Sequence, residues 1–147
     1  MSDAFCREKR YKMKSRVDWK DGLLFQGELE GFIVPMDADE QFGGQGKGMK
    51  PKGLLLTALA GCTAMDVMSM LRKMRTEPES FSVEADAELS GTHPKVFTHI
   101  RLIYRVKGAL ITEEKVRHAV DLSQNQYCSV TAMLRPAVPI SWDIVIE

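Results

Sequence analysis

An uncharged and largely apolar run, residues 53–65, is the feature that most constrains how this chain folds. Leucine, alanine, methionine, lysine and arginine dominate residues 52–75, a composition typical of a helix, and Pro51 suits its first position. The first half of this predicted helix is apolar on every face, so it requires burial on all sides. The run is shorter than the roughly 20 residues of a membrane span and ends at Asp66, which predicts no membrane insertion.

Length and charge narrow the class of protein. A chain of 147 residues fits a single domain over residues 1–147, in which we expect residues 1–10 to be a flexible tail. The 20 basic and 20 acidic residues balance, which gives no electrostatic reason to expect nucleic acid or an anionic membrane as a partner. Residues 1–20 lack the apolar segment of a secretory signal. We therefore expect a cytoplasmic protein, in which a stable structural disulfide is unusual.

Alternating apolar and polar side chains predict strands before the helix. The three predicted strands are residues 11–20, 23–26 and 31–34. Asp21-Gly22 is a turn signal between the first two, and Pro35 is expected to stop the third. The glycine-rich residues 37–50 predict a mobile loop, which lacks the ending of a phosphate-binding P-loop.

Further strands and a shorter helix follow the central helix. The predicted elements are strands at residues 81–89 and 96–106, a helix capped by Thr112 and reaching about Gln124, a short helical segment at 129–134, and a last strand at 138–146. The strands at residues 81–89 and 96–106 form a hairpin with one solvent-exposed face. That face is acidic on the first of these strands and basic on the second, so cross-strand charge pairs help to set the register. The order β-β-β-α-β-β-α-β makes this an α+β chain.

The apolar central helix also predicts an oligomer. Six strands and one small helix can hardly wrap a helix that is apolar on every side. A second copy of the chain solves this problem, so we expect an obligate homodimer in which both chains cover the central helices.

Two cysteines stand in contrasting settings and carry the most chemical information. Cys62 lies in the apolar run, and Cys128 lies where a polar segment turns apolar. If the fold brings them together, they form a thiol pair able to reduce a peroxide; if not, they are two small core residues. Cys6, in the charged N-terminal tail, is taken as incidental.

The residues around both cysteines resemble the OsmC-like family, which includes osmotically inducible and organic-hydroperoxide-resistance proteins. The matching segments are residues 54–67, 71–75, 97–100, 119–123 and 127–130, and the resemblance extends over about residues 14–146. They are closer to the uncharacterised branch of the family than to its best-known peroxidases. The resemblance implies an intertwined α+β homodimer with two equivalent sites at its interface.

The resemblance also implies a chemistry. Cys62 maps onto the thiol that attacks an organic hydroperoxide, and Cys128 onto the resolving thiol. A cellular dithiol then reduces the resulting disulfide, in oxidative-stress defence, with no cofactor and no metal. An alternative from another class is a non-catalytic dimeric module that keeps the fold and binds a small apolar ligand.

Two departures from the peroxidase branch favour that alternative. The family's glutamate just after the helix-opening proline is replaced here by Lys52 and Gly53, and no arginine lies in residues 18–49. An attacking cysteine reacts as its thiolate, which a nearby cation favours. The candidates for a replacement cation are Lys47, Lys50 and Lys52, with Arg16 more distant.

Asp66 and the histidines complete the list of polar candidates. Asp66, four residues after Cys62, is expected to pair with Arg72, Lys73 or a residue of the other subunit, with lining the site as the less favoured role. No His/Cys spacing predicts a metal site, and no histidine is placed to serve as the base of a cysteine hydrolase.

Overall fold

The computed structural model describes residues 12–147, which fold into two compact units that divide after Pro51. Cys6 and the predicted tail at residues 1–10 lie outside the described residues. The α+β class predicted from the sequence is confirmed, with two small sheets and three α-helices. The assignment of residues 1–147 to a single domain stays a prediction.

The first unit contains a three-stranded antiparallel sheet. Its strands, in spatial order, are β1 (Ser15–Asp21), β2 (Leu24–Leu29) and β3 (Phe32–Met36). The turn predicted at Gly22 joins the first two, and its φ of 53° suits glycine. The expectation that Pro35 stops the third strand is wrong: the strand continues to Met36, with Pro35 opposite Gln26. β3 is an edge strand of this sheet, where a residue without a backbone N–H is tolerated.

The loop predicted after β3 is present and is organised around a buried carboxylate. Asp37 is 3% exposed and accepts hydrogen bonds from the backbone nitrogens of Ala38 (2.8 Å), Gln45 (3.1 Å) and Lys47 (3.1 Å). These bonds, that of Lys47 foremost, hold the pKa of Asp37 below its usual value. A Cβ at Gly44 would lie 1.9 Å from the carbonyl oxygen of Ala38, so this closed conformation requires glycine there. No pattern in the sequence marks Asp37 as the centre of this loop.

The second unit combines a mixed sheet with three helices. Its elements are α1 (Pro51–Lys73), which starts at the division, β4 (Ser80–Leu89), β5 (Phe97–Lys107), α2 (Glu113–Leu122), α3 (Ser129–Leu134) and β6 (Ile140–Ile146). β5 is the central strand, antiparallel to β4 and parallel to β6. One expected charge pair of the hairpin, Glu84 with Arg105 at 2.8 Å, is confirmed.

Only one stripe of α1 is fully buried in a single chain. Leu59, Thr63, Val67 and Leu71 follow at intervals of four residues and join the core against β5 and α2. Met65, by contrast, is 75% exposed. One chain therefore does not provide the burial on all sides that the sequence predicts for this helix.

The helix α1 is longer than the apolar run at residues 53–65. The helix continues through Asp66 to 23 residues, and its most apolar window of 18 residues has a mean hydropathy of 1.7. By length and composition alone, α1 could cross a bilayer. Its buried stripe nevertheless belongs to the hydrophobic core of the second unit, where β5 and α2 supply the neighbouring side chains.

The second predicted helix is confirmed at its start and differs at its end. The Thr112 side chain accepts a hydrogen bond from Lys115 N at 3.3 Å, as an N-cap does, and Val116, Ala119 and Val120 are buried. The α-helix ends at Leu122 rather than near Gln124. A π-helical turn, Ser123–Tyr127, follows it and leads directly into Cys128 and α3.

Candidate functional site

Cys62 and Asp66 lie one helical turn apart on α1. Residues four positions apart share one side of a helix, so the Cys62 thiol and the Asp66 carboxylate project in the same direction. Thr63, next to Cys62, belongs to the buried stripe. Cys62 and Asp66 are partly exposed, and they therefore border the core on one side and solvent on the other.

Cys128 is held at the junction of the π-helical turn and α3. Its backbone N–H donates to Ser123 O at 2.7 Å, the i→i−5 bond that closes the π-helical turn. Its sulfur accepts a hydrogen bond from Thr131 N at 3.4 Å. The residue is 3% exposed. The wide turn thus fixes the sulfur in the interior, facing α1.

The fold brings the two predicted site residues together. The Cys62 sulfur, the Cys128 sulfur and an Asp66 carboxylate oxygen all lie within 4.8 Å of one another. Both cysteines are free thiols, and the Cys62 sulfur is also 3.9 Å from Ser129 Oγ. A disulfide requires an S–S distance of about 2.05 Å, so the two sulfurs must move closer together by side-chain rotation before they can bond.

The two thiols differ in environment. Burial raises the pKa of the Cys128 thiol, the hydrogen bonds from Thr131 oppose that rise, and the neighbouring Cys62 adds to it. Cys128 therefore holds its proton at neutral pH, while Cys62 is the more exposed of the two. This asymmetry suits Cys62 to meeting a solute first and Cys128 to reacting afterwards.

A buried network of hydrogen bonds lies next to the two cysteines on the interior side. Thr63 Oγ1 lies 2.7 Å from Tyr104 OH and 2.8 Å from Ser123 Oγ. Gln124 Nε2 donates to both Thr63 Oγ1 and Tyr104 OH at 3.0 Å, and its Oε1 accepts from Thr131 Oγ1 at 3.3 Å. Burial raises the pKa of Tyr104 to about 12, so its hydroxyl is a neutral donor. The network connects α1, β5 and the π-helical turn beside the two sulfurs.

Within one chain, Asp66 lines the site and does not form the expected ion pair with Arg72 or Lys73, while pairing with a residue of the other subunit stays a prediction. Its Oδ2 accepts a hydrogen bond from Ser123 Oγ at 2.9 Å. Arg72 pairs with Glu77 instead, at 2.8 Å. The i, i+4 spacing to Cys62 was the only sequence signal for this role. Thr63, Ser123 and Gln124 carried no such signal, because only the folded chain shows which polar residues of an apolar helix meet a distant turn.

The candidate cations of the sequence analysis have other partners where the structure shows their contacts. In the first unit, Arg16 pairs with Asp18 at 2.8 Å and Lys50 with Asp39 at 2.7 Å. In the second unit, Lys52 Nζ donates to the carbonyl of Lys95 at 2.9 Å. Among residues 52–147, no lysine or arginine side chain forms a hydrogen bond with either sulfur.

Two of the cavities that flank α1 in the second unit are relevant to function. One of about 330 Å³ is lined by Asp66, Ser69, Met70, Lys73, Leu122 and Tyr127, and it gives solvent access to the carboxylate side of the site. Another of about 400 Å³ lies between α1 and β4, with Leu56, Ala60, Gly61, Phe81 and Val83 among its lining residues. The second has the size and the largely apolar lining of a small-ligand site.

Sequence comparison places this geometry in context. The sequence profile described as "OsmC-like protein" matches residues 44–143. The chain is 39% identical over 136 residues to Protein YhfA of Escherichia coli K12, and the match covers 90% of this chain and 98% of that protein.

Solved structures share the fold. A hypothetical protein from Aquifex aeolicus superposes with a TM-score of 0.79 at 27% identity, covering 93% of this chain and 98% of its own. The organic hydroperoxide resistance protein OsmC of Legionella pneumophila superposes with a TM-score of 0.69 at 17% identity, covering 92% and 97%. The profile match, the identity to YhfA and the shared fold agree, and the chain belongs to the OsmC-like family.

Proposed function

We propose that this protein is a thiol-dependent peroxidase that reduces organic hydroperoxides through Cys62 and Cys128 in oxidative-stress defence. The observation that carries the proposal is the pair of free sulfurs within 4.8 Å of each other, one partly exposed and one buried. The Legionella relative is named an organic hydroperoxide resistance protein, and it shares the fold.

The reaction divides into three balanced steps. The Cys62 thiol loses its proton, and the thiolate attacks a peroxide oxygen. The O–O bond breaks, Cys62 becomes a sulfenic acid, and the departing alkoxide takes up one proton to become an alcohol. The Cys128 thiol then attacks the Cys62 sulfur, which forms the disulfide and releases water. A cellular dithiol donates two electrons and two protons to the disulfide, regenerates both thiols and becomes oxidised itself.

The chain's own groups fit those roles. Cys62 is the sulfur that a solute can reach, and Cys128 is protected until the sulfenic acid forms beside it. A resolving thiol that reaches the sulfenic acid by a side-chain rotation prevents its further oxidation. The polar network around Thr63 and Ser123 fixes the backbone segments that carry both cysteines.

We further propose that the protein acts as a cytoplasmic homodimer. The exposed apolar residues of α1, such as Met65, support self-association, since one chain leaves them uncovered. The family resemblance implies two equivalent sites at the interface of such a dimer. A cytoplasmic location provides the dithiol reductants that the third step requires.

Hydroperoxide consumption tests the proposal directly. The reduced protein is given cumene hydroperoxide and excess dithiothreitol, beside the Cys62→Ser and Cys128→Ser variants. We expect catalytic turnover in the native protein and none in Cys62→Ser. Consumption no faster than with dithiothreitol alone would overturn the peroxidase assignment.

A second function has an observation of its own in its favour. The cavity of about 400 Å³ between α1 and β4 suits a small apolar ligand, and the family's glutamate after the helix-opening proline is absent. A non-catalytic binding module would take up such a ligand regardless of the redox state of Cys62. Fluorescence titration with an apolar dye, using the native protein and an Ala60→Trp variant that fills the cavity, distinguishes the two functions.

A further inference from the structure

The carboxylate of Asp66 is out of place in a site built only for thiol chemistry. A carboxylate within 4.8 Å of both sulfurs has no role in the three peroxidase steps described above. Two potential thiolates and a carboxylate facing one point suit a cation instead. We propose that the reduced site binds Zn²⁺ through Cys62 Sγ, Cys128 Sγ and an Asp66 carboxylate oxygen.

The donor set matches the coordination preferences of zinc. Zn²⁺ is bound in proteins by cysteine sulfur, histidine nitrogen and carboxylate oxygen, in tetrahedral geometry. Magnesium and calcium prefer sites made entirely of oxygen ligands, which two sulfurs do not provide. Three protein ligands leave a fourth position for water.

The distances are close to those of a bound ion. Two sulfurs that are each about 2.3 Å from zinc at a tetrahedral angle lie about 3.8 Å apart. The three ligand atoms here lie within 4.8 Å of one another, so contraction by no more than about 1 Å brings the sulfurs to that separation. Side-chain rotation of Cys62, the partly exposed thiol, supplies such a movement.

Neighbouring groups already orient the ligands. Ser123 Oγ donates to Asp66 Oδ2 at 2.9 Å, which fixes the carboxylate and leaves its other oxygen available. Thr131 N donates to the Cys128 sulfur at 3.4 Å, a contact that stabilises a thiolate. Hydrogen bonds of this kind to metal ligands are typical of zinc sites.

An ion also has a route to the site. Asp66 lines the cavity of about 330 Å³, together with Ser69 and Tyr127, while Cys128 forms the buried side. Binding releases one proton from each thiol, so that the ion and two thiolates replace two neutral thiols. This inference goes beyond the proposed peroxidase: it uses the same sulfurs, but it does not require that they react with a peroxide.

Cobalt titration of the reduced, metal-free full-length protein tests the site. Co²⁺ bound by thiolates shows a near-ultraviolet charge-transfer band, and a tetrahedral site adds intense visible bands. We expect one Co²⁺ per chain with both features, and complete displacement by Zn²⁺. We expect Cys62→Ser and Cys128→Ser to abolish the charge-transfer band or to reduce affinity by more than about 100-fold, and Asp66→Asn to reduce affinity by about 10-fold or more.

Matched variants control for other sites. Cys6→Ser and Asp121→Asn, an exposed acid on α2, should keep native affinity. If a cysteine variant fails to fold, as judged by circular dichroism, the native thiols are blocked reversibly with methyl methanethiosulfonate, and cobalt binding should vanish and return on reduction. No charge-transfer band in the native protein, or a band that depends on Cys6, would overturn the inference. Peroxide-driven thiol loss, measured separately on the metal-free protein, keeps this result distinct from the outcome for the peroxidase.

Discussion

Ser123 Oγ lies 2.9 Å from Asp66 Oδ2 and 2.8 Å from Thr63 Oγ1. It therefore joins the π-helical turn to two residues of α1 that are three positions apart in the chain. Ser123 is fully buried. Its hydroxyl therefore positions both the turn that carries Cys128 and the helix that carries Cys62.

Removal of that hydroxyl should destabilise the protein. Ser123→Ala leaves the Asp66 and Thr63 oxygens short of a partner in a largely buried setting, which costs about 1–3 kcal/mol of the free energy of unfolding. Urea denaturation at pH 7 measures this loss. Ser69→Ala, on the exposed side of α1, is the matched control and should change stability by less than about 0.5 kcal/mol. Equal losses in the two variants would show that the buried hydroxyl has no special role.

Tyr104 gives the fold a distinctive sensitivity to alkali. Its pKa is raised to about 12 by burial, from 10.0 in an unfolded chain, so the folded state holds this proton more tightly. The associated stability is fully present below pH 10, and it declines as pH rises from there toward about 12. The maximal slope for one such group is about 1.4 kcal/mol per pH unit.

Two variants isolate this effect. Tyr104→Phe also lacks the hydroxyl's bonds to Thr63 and Gln124, so we expect it to lose about 1–2 kcal/mol at pH 7 and to show a shallower decline above pH 10. Tyr127→Phe, which alters an exposed tyrosine, should keep the native decline. Urea midpoints measured between pH 8 and pH 11.5 provide the comparison, and parallel curves for all three proteins would contradict the assignment.

The alternating patterns of the sequence correctly predict most of the fold, because each pattern reflects a local preference. β4 and β5 show a period of two, and α2 shows an apolar stripe after a capping threonine. The continuation of β3 through Pro35 was missed because an edge position, which makes proline tolerable, depends on strand order. Strand order is a property of the folded chain.

The site was predicted only in part. The sequence settings of the two cysteines marked them as candidates, the family resemblance implied their roles, and the structure brings them together. The role of Asp66 and the network of Thr63, Ser123 and Gln124 depend on the π-helical turn, which has no pattern in the sequence. Spacing rules for metal ligands likewise do not detect a site such as the proposed one, in which one ligand lies more than 60 residues from the others in the chain.

Deletion of the resolving thiol should expose the intermediate. In Cys128→Ser, a hydroperoxide still oxidises Cys62, but no second thiol is available to convert the sulfenic acid to a disulfide. We expect a dimedone adduct on Cys62 in this variant and much less in the native protein. Peptide mass spectrometry identifies the modified residue. An adduct of equal yield in both proteins would indicate that Cys128 does not resolve the intermediate.

Substitutions on α1 should separate folding from association. Leu59→Ala removes a fully buried side chain and should lower the free energy of unfolding by about 2–5 kcal/mol. Met65→Glu alters a side chain that is 75% exposed in one chain, so it should weaken the proposed dimer while each chain stays folded. Circular dichroism and sedimentation velocity measure the two properties. A Met65→Glu protein that sediments as the native dimer would exclude this face from the interface.

The central claim is that Cys62 and Cys128 form a peroxidatic pair, and a free-thiol count tests it most directly. The reduced, metal-free protein is counted before and after one equivalent of cumene hydroperoxide, beside Cys62→Ser, Cys128→Ser and Cys6→Ser. We predict rapid loss of two thiols per chain, with a Cys62–Cys128 disulfide by mass spectrometry, in the native protein and in Cys6→Ser. We predict no rapid thiol loss in Cys62→Ser, and loss of one thiol without that disulfide in Cys128→Ser. Thiol loss no faster than that of an ordinary cysteine, or equal loss in Cys62→Ser, would contradict the account.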